Sequence, residues 1–155
     1  MSQFDDAYYT DLVERRYFGN VAAGEIDAAV ACFTADARVT IYHGDNPVRR
    51  FACPEAADYG PPLPTFYEHL CGNFRASFAG FTHYIDIPGE RIASTFTVTL
   101  VPAADSPYFD DGTQTLNNCN FFLCRGGLVR EMTIYYANPS APPTGSRTPT
   151  GYPPG

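Results

Sequence analysis

The residues of this chain best suited to chemistry are His43 and Asp45, which follow an apolar alternating segment. An imidazole has an unperturbed pKa of about 6.5, so it can accept or donate a proton at neutral pH. The Asp45 carboxylate is close enough in sequence to orient such a ring. The pattern therefore predicts general acid or base catalysis by His43. The alternative is that both residues belong to a turn, since Gly44 and Asn46-Pro47 surround them.

The segment from Ala37 to His43 should deliver the imidazole to a buried face. Its residues alternate, and four of them share one face of a strand: Ala37, Val39, Ile41 and His43. The first three are apolar, so the face that they form is expected to pack on the core. His43 is therefore expected at the end of that buried face.

Three helices, each with one apolar stripe, are predicted to support this strand. Apolar residues recur every three or four positions, which is the spacing of one helix face. The predicted helices are Asp6–Ala22, a short one from Ile26 to Phe33, and one that begins at the capping box Thr65-Phe66-Tyr67-Glu68. Gly24 ends the first helix, and the stripe of the third extends to Phe74 and Phe78.

A long loop is predicted before the third helix, and strands are predicted after it. Gly44–Pro64 is rich in Pro and Gly, and loops of this length are often lids or disordered. Alternating segments predict four further strands: Thr82–Ile87, Arg91–Val101, Thr115–Cys124 and Leu128–Ala137. Helices followed by a mostly antiparallel meander indicate the α+β class.

Gly126-Gly127 predicts a two-residue hairpin turn between the last two strands. Counting back from a pair of Arg125 with Leu128 gives two informative pairs: Asn117 with Tyr136, and Phe121 with Met132. This set is apolar through its middle, so it is predicted to face the core, with Asn117 and Tyr136 as its polar members. A register shift of one residue would reverse the faces.

Composition limits the class of function. The 155 residues fit one domain, predicted as 1–138, followed by a Pro- and Gly-rich tail, 139–155, that is disordered or lies on the surface. The net charge of −7 argues against a nucleic-acid partner, which needs a basic surface. No segment suits a membrane, and the amino terminus lacks a signal sequence, so a cytoplasmic location is expected.

Metal and cofactor chemistry is not predicted. The chain has five cysteines, an odd number, and no two of them are spaced as Cys-x-x-Cys. This pattern suggests neither a set of disulfides nor a zinc site. His69 and His83 form no ligand cluster with a nearby acid and are predicted to be structural. Aromatic residues reach 15% while charged residues are only 17%, a balance that suits a pocket lined by rings.

Three segments of the chain resemble the superfamily of nuclear-transport-factor-2-like (NTF2-like) cone folds, across about Tyr8 to Asn138. They are Ala23-Gly24-Glu25-Ile26-Asp27, Phe33-Thr34-Ala35-Asp36-Ala37-Arg38-Val39 and Gly126-Gly127-Leu128-Val129-Arg130-Glu131. The resemblance implies a cone-shaped α+β barrel, with three N-terminal helices packed on a curved, mostly antiparallel sheet around an apolar pocket. It also implies a homodimer. The superfamily includes ketosteroid isomerases, SnoaL-like polyketide cyclases, epoxide hydrolases, dehydratases and non-catalytic binders.

The resemblance to ketosteroid isomerase implies a role for Tyr17. This residue aligns with the oxyanion-hole tyrosine of that family, whose hydroxyl stabilises a developing enolate; the alternative is an aromatic residue of the helix face. Ile41 stands where that family has its catalytic Asp, so His43, two residues later, is the candidate replacement. The final strand ends in Tyr135-Tyr136-Ala137-Asn138, without the acid that cyclases often place there.

The predicted function is cofactor-independent acid–base catalysis on a hydrophobic, carbonyl-bearing polyketide- or terpenoid-like molecule. Cyclisation, isomerisation and dehydration all fit. His43 would move the proton, with Asp45 beside it, and Tyr17 with Asn117 or Tyr136 would hold the oxyanion. The other predicted substrate contacts are apolar: Ile41, Phe74 and Phe121. Two alternatives are a non-catalytic binder with the same pocket and an interaction module that dimerises through the outer sheet face.

Overall fold

A computed structural model describes residues 4–137, so the predicted tail and the boundary at Asn138 lie outside the described residues. One long helix, α1, covers residues 6–23 in three segments: Asp6–Asp11, the π-helical Leu12–Gly19 and Asn20–Ala23. Asp5 begins it, because its side chain accepts a hydrogen bond from the Tyr8 amide at 2.9 Å. Gly24 ends it in the left-handed conformation, with a φ of 74°, which an L side chain would resist.

Two shorter helices, α2 (Ile26–Val30) and α3 (Leu63–Asn73), complete the three that the sequence predicts. The strands are β1 (Phe33–His43), β2 (Arg49–Ala52), β3 (Phe74–Asp86), β4 (Arg91–Pro102), β5 (Gln114–Arg125) and β6 (Leu128–Ala137). They form one sheet in the order β2-β1-β6-β5-β4-β3, and every neighbouring pair is antiparallel except β1 with β6. The α+β class is confirmed, but the six-stranded sheet stays open between β2 and β3, so the cone is not a closed barrel.

The prediction of a structureless loop over residues 44–64 is wrong. Arg49–Ala52 forms β2, and a 3₁₀ turn covers Pro54–Ala56. In β2, Phe51 pairs with Val39 and is buried, so this short strand closes the exposed edge of β1 and adds a ring to the core. Backbone pairing thus satisfies amide groups that a free loop would have left to water.

The beginning and end of α3 also differ from the prediction. The helix begins at Leu63, and the Thr65 hydroxyl donates to the Pro62 carbonyl at 2.6 Å instead of capping a helix start. Phe74 and Phe78 lie on β3, which pairs with β4 from Phe74 to Asp86 rather than from Thr82. Pairing with the long strand β4 therefore overrides the helical spacing of these phenylalanines.

The hairpin turn lies where the sequence places it, but the register beyond the turn is shifted. Arg125 pairs with Leu128, whereas Leu123 pairs with Glu131, which leaves an extra residue in β6 as a β-bulge. The predicted inward face of β5 is therefore wrong, because the bulge exchanges its two faces. On β5, Asn118, Asn120 and Phe122 are buried, while Asn117 and Phe121 are exposed.

The core lies between the helices and the inner face of the sheet. Ala37, Val39 and Ile41 are fully buried, and His43 is 6% exposed, which confirms the predicted inner face of β1. Met132 and Ile134 are buried as predicted for β6. The two central strands of this face, β5 and β6, thus present both apolar and amide side chains to the helices.

Candidate active site

A narrow cavity, here called the inner cavity, lies between α1, α3 and the inner face of strands β3 to β6. Five polar residues line it: Tyr17, Tyr67, Asn118, Asn120 and Tyr136. The rest of its wall is apolar and includes the rings of Phe18, Phe66, Phe78 and Phe96. Its free volume is about 20 Å³, enough for about one water molecule. A larger ligand must therefore displace wall side chains to enter.

A pair of tyrosine hydroxyls lies at the helix side of the inner cavity. The Oη atoms of Tyr17 and Tyr67 are 2.8 Å apart and hydrogen bonded. Both residues are buried, with 3% of Tyr17 and 1% of Tyr67 exposed. One hydroxyl donates to the other, so the pair keeps one proton that it can donate to a third group. Burial raises the pKa of both phenols, and the pair therefore stays neutral and donating.

The backbone explains how Tyr17 reaches this position. It belongs to the π-helical segment Leu12–Gly19, in which the helix is wider than an α-helix; such segments are frequent at functional sites. Tyr67 comes from the second turn of α3, whose buried residues Leu63 and Leu70 fix that helix on the core. The two hydroxyls are fifty residues apart in sequence, and no local pattern predicts that they meet.

Two asparagine side chains lie on the sheet side of the same cavity. Asn118 is 6% exposed and Asn120 is 1% exposed, and both line the wall. Sequence reasoning placed them on the outer face, because a hairpin without a bulge gives the opposite register. The signal that could have found them is the alternation of Leu116, Asn118, Asn120 and Phe122, which carries two polar residues between apolar ends.

His43 stands next to the cavity and not in its wall. It pairs with Tyr136 across β1 and β6, and the two ring centroids are 5.2 Å apart. Tyr136 lines the cavity, whereas the imidazole does not. Burial lowers the pKa of His43 and so favours the neutral form of its ring.

The other predicted site residues are dispersed. Asp45 is exposed in the turn after β1, where Asn46 donates its amide to the His43 carbonyl at 3.0 Å. Ile41 is fully buried on the inner face of β1 and does not line the inner cavity. Phe74 is buried at the start of β3, with its ring 5.2 Å from that of Tyr108, and it does not line the inner cavity.

Asn117 and Phe121 do not lie on the inner face of β5 as predicted, because the bulge turns both side chains to the outer face. Phe121 is 49% exposed, and its ring packs against Tyr135 at 5.8 Å. Asn117 accepts a hydrogen bond from the Thr97 hydroxyl at 3.3 Å on the same outer face. Neither side chain can therefore contact a molecule in the inner cavity in this arrangement.

A chain of hydrogen bonds joins Glu14, His83 and Ser94 next to the cavity. His83 Nε2 donates to a Glu14 carboxylate oxygen at 2.6 Å, since a carboxylate only accepts, and the Ser94 hydroxyl donates to Nδ1 at 2.7 Å. The order of groups is that of a serine–histidine–acid triad. Ser94, however, is fully buried and does not line the cavity, so this chain ties α1 to β3 and β4.

The wall of the inner cavity contains no carboxylate and no imidazole among residues 4–137. Within the same range, no three or more His, Cys, Asp or Glu side chains are grouped so that they could hold a metal ion. No helix in the described part of the chain is long and apolar enough to span a membrane. The cavity can therefore donate a hydrogen bond from its phenols and accept hydrogen bonds at its amides.

Neither a protein-family model nor a curated protein sequence matches this chain. Solved structures do match. The epoxide hydrolase/cyclase-like enzyme SalBIII of salinomycin pyran formation is 17% identical over 87% of this chain and 95% of its own, with a TM-score of 0.64. A Pseudomonas putida protein proposed to be a polyketide cyclase is 24% identical over 83% of this chain and 90% of its own, with a TM-score of 0.64.

An NTF2-like protein from Burkholderia xenovorans also matches, with 14% identity, a TM-score of 0.61, and coverage of 86% of this chain and 92% of its own. Identities this low show a shared fold and leave activity open. Helices packed on an open, six-stranded mixed sheet are consistent with that fold. The chain therefore has the NTF2-like cone fold that its sequence resembles.

Proposed function

We propose that this protein is a cofactor-independent acid–base enzyme that acts on a hydrophobic, carbonyl-bearing small molecule in the inner cavity. The observation that carries the proposal is the buried Tyr17–Tyr67 hydroxyl pair, a donor already oriented in an apolar wall. Fixed donors of this kind stabilise the negative charge that develops on a carbonyl oxygen. Isomerisation, cyclisation and dehydration next to a carbonyl all pass through such a charge.

In the proposed reaction, the substrate carbonyl accepts a hydrogen bond from the tyrosine pair. His43 removes a proton from the carbon next to that carbonyl, so the C–H electron pair moves into a carbon–carbon double bond and the oxygen becomes an enolate. His43 then returns the proton to another atom of the substrate. His43 packs against the Tyr136 ring and does not line the cavity, so this step requires the Tyr136 ring to move aside when the substrate enters. Tyr136 is only partly buried, which supports such a movement.

The names of the structural neighbours support the same class of chemistry, since they include a cyclase-like enzyme and a proposed polyketide cyclase. They also favour a polyketide-like substrate. A homodimer and a cytoplasmic location stay predictions. The exposed, stacked rings of Tyr42 and Tyr135, 5.1 Å apart on the outer face, are compatible with a subunit contact there.

Proton removal can be measured before the natural substrate is known. In D₂O, enolate formation exchanges the protons next to the carbonyl of 1-tetralone, and proton NMR follows their loss. We expect the wild-type protein to accelerate this exchange over buffer. Tyr17→Phe should slow it about a hundredfold, as for the loss of one oxyanion donor. The matched control is Tyr42→Phe, on the outer face, which should exchange at the wild-type rate.

A second candidate function is non-catalytic binding of the same class of molecule. It is favoured by the absence of a carboxylate or imidazole from the cavity wall among residues 4–137. Under this alternative, 1-tetralone binds without faster exchange. Acceleration that survives Tyr17→Phe combined with Tyr67→Phe unchanged would equally remove the tyrosine pair from the mechanism.

A further inference from the structure

We propose that Asn118 and Asn120 make the inner cavity selective for ligands with hydrogen-bond donors, chiefly hydroxyl groups, on the edge that faces β5. The proposal rests on the proposed function only in placing the ligand in this cavity. It adds a requirement that the carbonyl chemistry does not contain. The tyrosines would bind an acceptor on one side of the ligand, and the asparagines would bind donors on the other.

The first observation is that both amide oxygens are buried without a donor. The Oδ1 atoms of Asn118 and Asn120 accept no hydrogen bond from any residue in the range 4–137. Both side chains are more than nine-tenths buried, and both line the inner cavity. Buried polar atoms are nearly always satisfied, so a pair of unsatisfied acceptors in one cavity indicates a ligand that donates to them.

The neighbours on adjacent strands do not satisfy these oxygens. Asn118 lies between Phe96 and Tyr136, and Asn120 lies between Ser94 and Ile134. Phe96 and Ile134 carry no donor, and the Tyr136 hydroxyl does not donate to Asn118 Oδ1. In the neutral tautomer whose Nε2 donates to Glu14, His83 Nδ1 accepts the proton of the Ser94 hydroxyl.

The orientation of Asn120 is fixed by its own amide nitrogen. Nδ2 donates to the Met132 sulfur at 3.6 Å, whereas the oxygen would meet no donor there. The acceptor is therefore the atom left for the cavity. Asn118 and Asn120 are two residues apart on one face of β5, so their side chains start about 7 Å apart along the strand. That spacing suits two hydroxyl groups on one edge of a bicyclic or larger molecule.

A hydroxyl on the ligand should therefore increase affinity sharply. An apolar substituent would leave a buried acceptor unpaired, while a hydroxyl would pair it, a difference of about tenfold or more in the dissociation constant. A methyl ether is the sharpest comparison, because it keeps the oxygen and removes only the donated proton. The class of ligand is thus a hydroxylated carbonyl compound with its two functions on opposite edges.

The test compares 6-hydroxy-1-tetralone with 6-methoxy-1-tetralone by isothermal titration calorimetry. Wild-type protein should bind the hydroxy ketone about tenfold or more tightly than the methoxy ketone. Asn118→Leu combined with Asn120→Leu should remove this preference while keeping the volume of the wall. The matched control is Asn117→Leu, one residue away on the outer face, which should retain the preference in full.

Equal affinity for the two ketones in wild type, or no binding of the hydroxy ketone up to its solubility limit, would overturn the proposal. So would a preference that survives the double leucine variant. If the leucines prevent ligand entry or folding, Asn118→Ala with Asn120→Ala makes the same comparison. Deuterium exchange on the same complexes separates the two proposals. A preference for the hydroxy ketone without exchange supports selection of donors by the asparagines and contradicts catalysis. Exchange without that preference supports catalysis and contradicts the selection of donors.

Discussion

His43 and His83 lie on opposite halves of the same sheet, on β1 and β3, and their surroundings give them different properties. His43 is packed against the Tyr136 ring, and burial alone lowers its pKa. His83 is held at both nitrogens, by Glu14 on one side and Ser94 on the other. The first ring is desolvated beside the cavity and is the proposed base, whereas the second is a bridge between α1 and the sheet.

The groups that contact a buried histidine therefore determine its role more than its position in a strand does. A ring that is desolvated and next to a cavity can change its protonation state when a substrate arrives. A ring with both nitrogens engaged has a fixed tautomer, and moving its proton would break a hydrogen bond. We therefore expect His43 to matter for the reaction and His83 to matter for stability.

The largest expected effect is on the reaction. His43→Leu keeps a side chain of similar bulk and removes the proposed base, so exchange of the 1-tetralone protons should slow by about a hundredfold or more. His83→Leu, measured in the folded protein under the same conditions, should retain most of the wild-type rate. The comparison fails if the two variants exchange ranks, because His83 would then be the base.

The next effect is on the free energy of unfolding. His83→Leu removes two hydrogen bonds and leaves the buried Ser94 hydroxyl without its acceptor, so we expect a loss of about 2–3 kcal/mol in urea unfolding. Glu14→Gln is the matched control, since the amide oxygen can still accept from Nε2 and only charge is lost; the expected change is under about 1 kcal/mol. A His83→Leu protein as stable as wild type would contradict the bridging role.

The sequence could predict the face on which His43 lies, because that information is local. Alternation in β1 depends only on the period of a strand, and the apolar residues Ala37, Val39 and Ile41 identify the buried side. The αL position of Gly24 and the turn at Gly126-Gly127 are likewise fixed by residues within a few positions. The fold follows from such local signals together with the family resemblance.

The candidate site could be predicted only in part, because it depends on contacts between distant segments. One bulged residue between Val129 and Glu131 moves Asn117 and Phe121 out of the core face, and no residue type there announces it. The bonds of Tyr17 to Tyr67 and of Glu14 to His83 join residues 50 and 69 positions apart. Tyr17 was found by resemblance, while its partner Tyr67 was found only in the structure.

The smallest expected effect is a pH dependence that distinguishes a histidine whose pKa burial lowers from one whose charged form is stabilised by a carboxylate. Because burial lowers the pKa of His43, the unfolded chain takes up a proton near pH 6.5 while the folded chain still resists it. Wild type should therefore lose stability as the pH falls below about 6.5, by at most about 1.4 kcal/mol per pH unit, until the lowered pKa is reached. His43→Leu should lack this part of the slope in urea unfolding.

The Asp36 carboxylate does not obscure this window. Hydrogen bonds from Arg125, which has the larger effect, and from Thr34 lower the pKa of Asp36 to about 2. The contribution of Asp36 to the free energy of unfolding is therefore lost only as the pH falls below about 4. Asp36→Asn should accordingly keep the slope near pH 6. A histidine whose charged form is paired with a carboxylate gives the opposite sign, with stability lost as the pH rises. If His43 showed this opposite sign, the folded state would stabilise its protonated form. The description of His43 as a neutral, desolvated base would then not hold.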